Sequence, residues 1–404
     1  GGIFSVLGVV ILVAGQWAWL SFAIGGLIAL ATAYGYSCMS NKYRECGGSF
    51  SYLRQCDQKG FAGNLAWVLI LGYTLTISVY GFTFGHYLAH VTGFGPWFPR
   101  LCALAIIGGL TYVNLIGIRE TVGVEILTVW GKVIILLILG MVGLLFFWEP
   151  EQLSAGIELQ GIHMAFVGAA AVFMAYEGFQ LLAYDYHVIR NPRKTFPRAV
   201  MGAVVVVIVI YIIVTLGATM IVGAGEMARH PEVALSLAGE AAMGLTGLIL
   251  VTIGALFSTA SAINATLFAT ARLTQEVASC GELPESLKQN NKKGLPARAI
   301  VFIGMVGALL AMMGSLATLV EAASLIFLFT FAVVNILSFY KIKRHRWVFA
   351  AGAVGAIVAS IALVWRLITN SPIIILLLGI VIFITLAGRH FLFRRMGDPE
   401  DSEK

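Results

Sequence analysis

The sequence has few charged residues for its length. Only 11% of its 404 residues are Asp, Glu, Lys or Arg, whereas 59% are hydrophobic, and the mean hydropathy is +0.91. A soluble domain carries about a quarter charged residues, because its surface must be solvated. Disorder is excluded as well, since disordered chains are poor in hydrophobic residues. The composition therefore indicates a polytopic membrane protein.

Motifs for metal binding and catalysis are also missing. The sequence has five cysteines and no C-x-x-C pair or Cys/His cluster, so it implies no metal site and no cofactor. It contains no H-E-x-x-H, no G-x-S-x-G and no phosphate-binding loop, which argues against a membrane enzyme. A sensor or scaffold subunit is disfavoured because no stretch is long enough for a sizeable soluble domain.

Hydrophobic stretches of about 20 residues, enough to cross a bilayer, recur along the chain. Because the chain begins at Gly1 and not at Met, we expect the short stretch Gly2–Ala14 to be the second half of a helix. The other predicted spans are 17–38, 62–91, 99–117, 121–147, 162–186, 197–222, 243–273, 297–314, 319–340, 347–367 and 372–391. The sequence thus predicts about 12 transmembrane helices.

The distribution of Lys and Arg supports this count. If the 39–61 loop is cytoplasmic and the sides alternate, 22 of the 26 basic residues fall on the cytoplasmic side, three fall outside and one lies within a span. Such a bias is typical of cytoplasmic loops. The net charge of +6 therefore reports topology; charge scattered over many loops does not form a nucleic-acid surface.

The basic residue within a span is Lys132. At 1.5 Å per residue it lies about 16 Å from one end of the predicted helix 121–147 and about 23 Å from the other. Its side chain is too short to reach the interface, and a charge there costs at least about 2.5 kcal/mol. Two interpretations of Lys132 stay open. It is a structural lysine, either paired with a carboxylate or facing a wet cavity, or it is a protonation switch. The second is possible because burial disfavours the charged form of a lysine.

Two predicted spans contain residues that permit a break in the helix. The chain starts with GGIFS, and residues 173–179 read FMAYEGF, where a glutamate and a glycine interrupt an apolar run. These are the first and sixth spans, five apart, as expected for two inverted repeats whose interrupted helices form a site near the bilayer midplane. Helix amides attract an anion and helix carbonyls a cation, so a zwitterion such as an amino acid matches both.

Several motifs, in order, carry a resemblance to the amino acid–polyamine–organocation transporters. They are GGIFSVLG at 1–8, GGSFSYLR at 47–54, AYEGF at 175–179, RNPRK at 190–194 with PRA at 197–199, STASAINAT at 258–266 with Arg272, and GLP at 294–296. The resemblance covers nearly the whole chain. It implies an all-α membrane fold of the LeuT-like type, with a 5+5 inverted repeat and discontinuous first and sixth helices. The repeats would be 1–147 and 148–340, followed by two further helices and a cytoplasmic tail in 341–404.

The resemblance also implies a binding site. The substrate carboxylate would lie on the amides of Gly1, Gly2 and Ile3, and its amine on carbonyls near Phe173, Met174 and Ala175, with Tyr176, Glu177 and Gly178 completing the broken segment. Lys132 falls where sodium-independent members carry a lysine in the fifth helix. The resemblance implies that its ammonium replaces the sodium ion of sodium-coupled relatives and reaches first-helix carbonyls and eighth-helix hydroxyls. The hydroxyl candidates are Ser258, Thr259 and Ser261.

The chain departs from that family pattern at three places. Many members carry an acidic pair where this chain has His187 and Val188, so an inner gate built on that pair is not expected. Met174 replaces an aromatic residue that often closes over the substrate. Glu177 places a charge within the break, and either contacts a cationic substrate side chain or caps exposed backbone amides.

These features predict a secondary transporter of amino acids in the plasma membrane, with proton-coupled symport through Lys132. The alternative is an exchanger or facilitator in which Lys132 is structural and never titrates. Tyr73, Tyr80 and Phe327 are possible walls of the pocket. No acidic cluster is evident there, which favours neutral amino acids as substrates. The expected partners are the amino acid, a proton and the lipid bilayer.

Overall fold

The structure is a computed structural model that describes residues 1–44, 48–117, 122–291 and 293–370, and short pieces between 372 and 387. The side chains of residues 122–127 and 185 are outside this description. The described residues are almost entirely helical. The α-helices are α1 (Gly2–Ala14), α2 (Ala18–Tyr43), α3 (Gly48–Arg54), α4 (Lys59–Thr92), α5 (Phe98–Ile116), α6 (Val122–Phe146), α7 (Met164–Ala171), α8 (Pro192–Val222), α9 (Ala224–Arg229), α10 (Ala234–Ser279), α11 (Ala297–Met313), α12 (Leu316–Lys341) and α13 (Arg346–Asn370). A long 3₁₀ helix, Phe173–Val188, follows α7, and shorter 3₁₀ turns lie at Gly15–Trp17, Pro150–Leu153 and Glu285–Leu287.

Hydropathy predicted most of these helices well. Eight described helical stretches are long and apolar enough to span a membrane, and α7 with the 3₁₀ helix makes a ninth, bent by 43°. The first of the eight, Gly2–Tyr43, includes two predicted spans, and α11 is shorter but falls on a predicted span. The predicted last span, 372–391, lies largely outside the described residues, as does the tail. Within α10, Gly244 has non-helical φ and ψ of 61° and −148°, at the start of the predicted span 243–273.

The chain turns sharply between α1 and α2, at Gly15, whose φ is +54°. Gly168 of α7 lies against both Ala14 and Ser21, which flank this turn. At its other end, α1 meets the 3₁₀ helix, where Gly2 lies against Ala175. Helix α1 therefore runs antiparallel to α7, and the broken sixth span lies alongside it over its whole length.

The centre of the molecule is formed by α1, α4 and the broken span. Every residue of α1 is buried except Leu12, and long runs of α4 are buried as well. By contrast, α5, α6, α8 and α13 expose many apolar side chains on their outer faces. Such faces suit contact with lipid tails. Helix α3, which the sequence resemblance placed in a loop, is a short buried helix against α2 and α4.

Glycines allow α6 and α8 to approach closely. A Cβ built on Gly217 would clash with the carbonyl oxygen of Gly140, and one built on Gly143 would clash with the carbonyl oxygen of Gly217. Small residues at such crossings let helix backbones pack in membranes, where no hydrophobic driving force brings helices together. This contact holds the helix that carries Lys132 against α8.

We expect Gly217→Ala to destabilise the protein, because the added methyl group meets backbone atoms that cannot rotate away. Overpacking of this kind costs about 1–3 kcal/mol. Gly202→Ala is the matched control in the same helix, since a Cβ there meets nothing within 4 Å. Thermal unfolding in detergent should show a lower melting temperature for the first variant only. Equal melting temperatures for the two variants would contradict this packing.

Candidate substrate and coupling site

The start of α1 lies directly against the broken sixth span. A Cβ on Gly2 would come within 2.6 Å of the Ala175 side chain and 3.0 Å of the Tyr211 hydroxyl. The Tyr211 hydroxyl, from α8, donates to the Ala175 carbonyl oxygen at 3.2 Å and faces the backbone N–H of Ile3. One hydroxyl thus connects the two backbone segments that sequence analysis predicted to bind an amino acid.

Gly1 is enclosed from two other helices. A Cβ on Gly1 would lie 2.9 Å from Ala262 of α10 and 3.0 Å from the Tyr80 ring of α4. The first helical amides have no acceptor within their own helix, so they are free to bind a ligand. The predicted residues Gly1, Gly2 and Ile3 therefore present backbone at the centre of the bundle, with Tyr80 beside them.

The break between α7 and the 3₁₀ helix is held by Ser324 of α12. The Ser324 hydroxyl donates to the Ala171 carbonyl at 2.8 Å and accepts from the Met174 N–H at 3.0 Å. The Ala175 N–H bonds the Val172 carbonyl at 2.8 Å. Polar backbone groups within a membrane need such partners. Sequence analysis did not single out Ser324, because nothing in its local pattern distinguishes it from other buried serines.

The aromatic side chains of the broken segment pack away from α1. Phe173 and Phe179 both contact the Phe331 ring, with centroids 5.1 and 5.3 Å apart. The Tyr176 hydroxyl donates to the Phe22 carbonyl of α2 at 2.8 Å. These side chains fix the segment between α2 and α12, and Ala175 of the segment packs against Gly2 of α1. Met174 is fully buried in the same packing.

Glu177 is a buried acid next to the start of α1. It is 2% exposed, and its Oε2 has no hydrogen-bond partner among the described residues. It lies within electrostatic reach of Gly1, Tyr73 and Tyr80. The adjacent Gly178 is exposed, and a Cβ there would meet nothing within 4 Å. The segment therefore has a buried acidic group beside a face that borders open space.

Lys132 lies within α6 and is partly buried. Like Glu177, it lies within electrostatic reach of Gly1. One turn further along α6, the side chain of Ile135 packs 3.3 Å from the Cβ position of Gly254 in α10. Phe4 of α1 lies 3.6 Å from the same Cβ position. Helices α1, α6 and α10 therefore meet near Lys132.

The three candidate hydroxyls on α10 differ in their surroundings. The Thr259 hydroxyl donates to the carbonyls of Ala255 and Leu256, at 2.7 and 3.2 Å, within its own helix. Ser258 is 1% exposed, whereas Ser261 is partly buried. Ser258 is one turn from Gly254, which faces α1 and α6.

Comparison with known proteins agrees with this geometry. The family model described as amino acid permease matches residues 1–394. The chain belongs to the amino acid permease family. It is an amino acid transporter of the plasma membrane, a multi-pass protein and not an enzyme, as the sequence predicted.

Relatives of this permease are transporters. The chain is similar to the inner membrane transport protein YbaT of Escherichia coli, with 29% identity over 80% of this chain and 76% of that protein. The serine/threonine exchanger SteT of Bacillus subtilis is 28% identical over 70% of this chain and 65% of its own length. The branched-chain amino acid permease BcaP, also from Bacillus subtilis, is 26% identical over 80% and 73% of the two chains.

A solved structure has the same fold. The structure of MhsT in complex with L-phenylalanine superposes with a TM-score of 0.59, at 11% identity, over 91% of this permease and 97% of that chain. The likeness confirms the predicted all-α, LeuT-like membrane fold. The bend of 43° between α7 and the 3₁₀ helix is the predicted discontinuity of the sixth helix.

We expect Ser324→Ala to destabilise the broken span, because the Met174 N–H would lose the hydroxyl to which it donates inside the membrane. An unsatisfied buried group costs about 1–3 kcal/mol. Ser338→Ala is the matched control on the same helix, since the Ser338 hydroxyl is buried without a hydrogen-bond partner in the described structure. The measurement is thermal unfolding in detergent. A melting temperature that falls equally in both variants would argue against this role for Ser324.

Proposed function

We propose that this permease takes up neutral amino acids together with protons, by alternating access. In this proposal, 1–147 and 148–340 are two inverted repeats that move about one central site, and 341–404 lies outside them. The observation that carries the proposal is that the start of α1 packs on the broken span at Ala175, with Lys132 and Glu177 both within electrostatic reach of Gly1.

The backbone contacts support binding of an amino acid at this point. A zwitterion needs donors for its carboxylate and acceptors for its amine. We assign the amides of Gly1, Gly2 and Ile3 to the carboxylate, and carbonyls at Phe173, Met174 and Ala175 to the amine. The Tyr211 hydroxyl supports this assignment, because it donates to the Ala175 carbonyl and faces the Ile3 N–H. A bound amino acid would make the same kinds of contact, with its amine donating to a carbonyl and its carboxylate accepting from an amide.

The charges around the site favour a neutral substrate. The described titratable side chains within electrostatic reach of Gly1 are one lysine, Lys132, and one glutamate, Glu177, so neither sign is in excess to balance a charged substrate side chain. Glu177 Oε2 has no hydrogen-bond partner among the described residues, and a Cβ on the adjacent Gly178 would meet nothing within 4 Å. We therefore place the substrate beside the contact of Gly2 with Ala175. The names of SteT and BcaP also refer to neutral amino acids, serine and threonine in one case and branched-chain residues in the other.

Lys132 provides a means of coupling. In the proposed cycle, the protonated ammonium contacts the α1 backbone and an α10 hydroxyl, and so holds α1, α6 and α10 together while the site faces outward. Ser258, Thr259 and Ser261 all stay candidates for that contact, because a hydroxyl that donates to a helix carbonyl, as Thr259 does, can still accept from an ammonium. Loss of the proton to the cytoplasm weakens the contact and lets the inner side open. The proton drives the change because it binds the two conformations unequally.

The alternative is exchange or facilitated transport with a structural Lys132. SteT, at 28% identity, is named an exchanger, which favours this alternative as the second candidate. In that case Lys132 would need its charge to hold the helices but would never release a proton. The two candidates therefore differ in what an arginine at this position would do.

We expect Lys132→Ala to abolish the dependence of amino acid uptake on a pH gradient, since the variant has no group to carry the proton at this position. Lys132→Arg should also lose pH-driven accumulation, because a guanidinium keeps its proton. The measurement is uptake and counterflow of labelled amino acid in proteoliposomes, with and without an inward proton gradient.

Two results would decide against proton coupling through Lys132. One is undiminished proton-driven uptake by Lys132→Ala. The other is a pair of findings: Lys132→Arg exchanges amino acids at the wild-type rate, and exchange by the wild-type protein does not change with the proton gradient. That pair would support the exchanger. Melting temperature in detergent checks that each variant is folded.

We expect Glu177→Gln to weaken transport of neutral amino acids by about fivefold, because Oε2, which has no partner among the described residues, would lose its proposed hydrogen bond to the bound substrate, and such a bond contributes about 1 kcal/mol. Glu240→Gln is the control, as that carboxylate is exposed on the outer surface. Uptake of labelled leucine, serine and lysine is measured for each variant. If Glu177 instead recognises a cationic side chain, lysine uptake falls and leucine uptake stays unchanged. If it caps the backbone, all three fall together with the melting temperature.

A further inference from the structure

A basic cleft opens on the cytoplasmic side of the permease, away from the central site. It lies between the end of α2, the start of α8 and the connection from α12 to α13, and has a volume of about 760 Å³. Its lining includes Lys42, Lys341, Lys343 and Arg344. Asn41 and Tyr34 also line the cleft, and the Tyr34 hydroxyl is hydrogen-bonded to the His345 ring at 2.9 Å.

Among the residues that the structure describes, no carboxylate neutralises the cations in this cleft. The lining contains no Asp or Glu, and the ion pairs found among the described residues do not involve any of the four. The Lys42 ammonium instead donates to the Lys341 carbonyl at 2.8 Å, which fixes one end of the cleft. Four like charges around one cavity repel each other, so an anion bound there would be stabilised by all of them.

The cleft lies at the depth of lipid headgroups. Tyr340 and Trp347, on either side of the α12–α13 connection, are 69% and 73% exposed. Exposed aromatic residues of this kind mark the membrane–water interface. Apolar Pro197, Met201 and Ile342 also line the cleft. A ligand here would thus meet charge at one side and apolar surface at the other.

The outer face of α8 continues this apolar surface into the membrane. Val205 and Val206, one turn beyond Met201, are 47% and 56% exposed, and Val209 follows them. An acyl chain could lie along these residues while its headgroup occupied the cleft. A free phosphate would gain nothing from this surface.

We propose that the cleft binds the phosphate headgroup of an anionic phospholipid of the inner leaflet. The four basic residues receive the phosphate, and the valine face of α8 receives an acyl chain. Basic pockets between transmembrane helices on the cytoplasmic side suit such headgroups. The site is independent of substrate binding and of coupling through Lys132. Its test therefore does not depend on the proposed transport function.

The test compares the binding of different lipids to the full chain in detergent micelles. Dioleoylphosphatidylglycerol is titrated against the purified protein and followed by thermal unfolding and by native mass spectrometry. Dioleoylphosphatidylcholine and inorganic phosphate are titrated in parallel. The wild-type protein should gain melting temperature with phosphatidylglycerol and retain it as a bound adduct, and should do neither with the other two.

The double variant Lys343→Gln/Arg344→Gln should bind phosphatidylglycerol about 25-fold more weakly, since each basic residue near an anionic headgroup contributes about fivefold in affinity. Lys288→Gln/Arg298→Gln is the matched control, with the same loss of charge at exposed cytoplasmic positions outside the cleft. If the double variant does not fold, Lys343→Gln alone should show the fivefold loss.

Three outcomes overturn the proposal. Equal weakening in the cleft variant and in the control would mean that net charge alone attracts the lipid. An equal rise in melting temperature with inorganic phosphate would mean that the cleft is a site for a free anion. Unchanged binding by the cleft variant would likewise exclude these residues as the headgroup site.

Discussion

Backbone groups inside a membrane have no water to bond, and this constraint governs the centre of the permease. The sixth span is interrupted between Ala171 and Phe173, yet the groups freed there are bonded by the protein itself. Ser324 bonds the carbonyl and amide on either side of the break, and Tyr211 bonds the Ala175 carbonyl. Because these partners come from α12 and α8, the break can exist only where those two helices pack against it.

The same constraint applies to charge. A lysine and a glutamate in the middle of a membrane protein are each costly, and they are tolerated when they face the protein interior and compensate each other. Lys132 and Glu177 come from different helices and both lie within electrostatic reach of the start of α1. The helix of the proposed coupling residue and the segment of the proposed substrate site therefore meet at this point.

The sequence predicted most of the described helices and the break in the sixth span. Hydropathy predicted α2, α4 and α6 because the bilayer fixes the length of an apolar run. It also predicted that a span starts at about residue 243, where α10 is broken at Gly244. The sequence did not predict Ser324 or Tyr211, since a single hydroxyl in an apolar helix gives no local signal. Helix α9 and the buried helix α3 were missed as well, because short helices outside the spans are determined by packing.

What the sequence determined by itself is the membrane class, the approximate spans, their orientation and the presence of one lysine far from any interface. These follow from composition and periodicity, which depend only on the solvent that each residue must face. The tertiary structure decided which backbone groups meet. The contact of Gly2 with Ala175, the bonds of Ser324 and the close crossing at Gly217 join residues far apart in the chain. Such contacts depend on how helices pack side by side, and no local pattern encodes that arrangement.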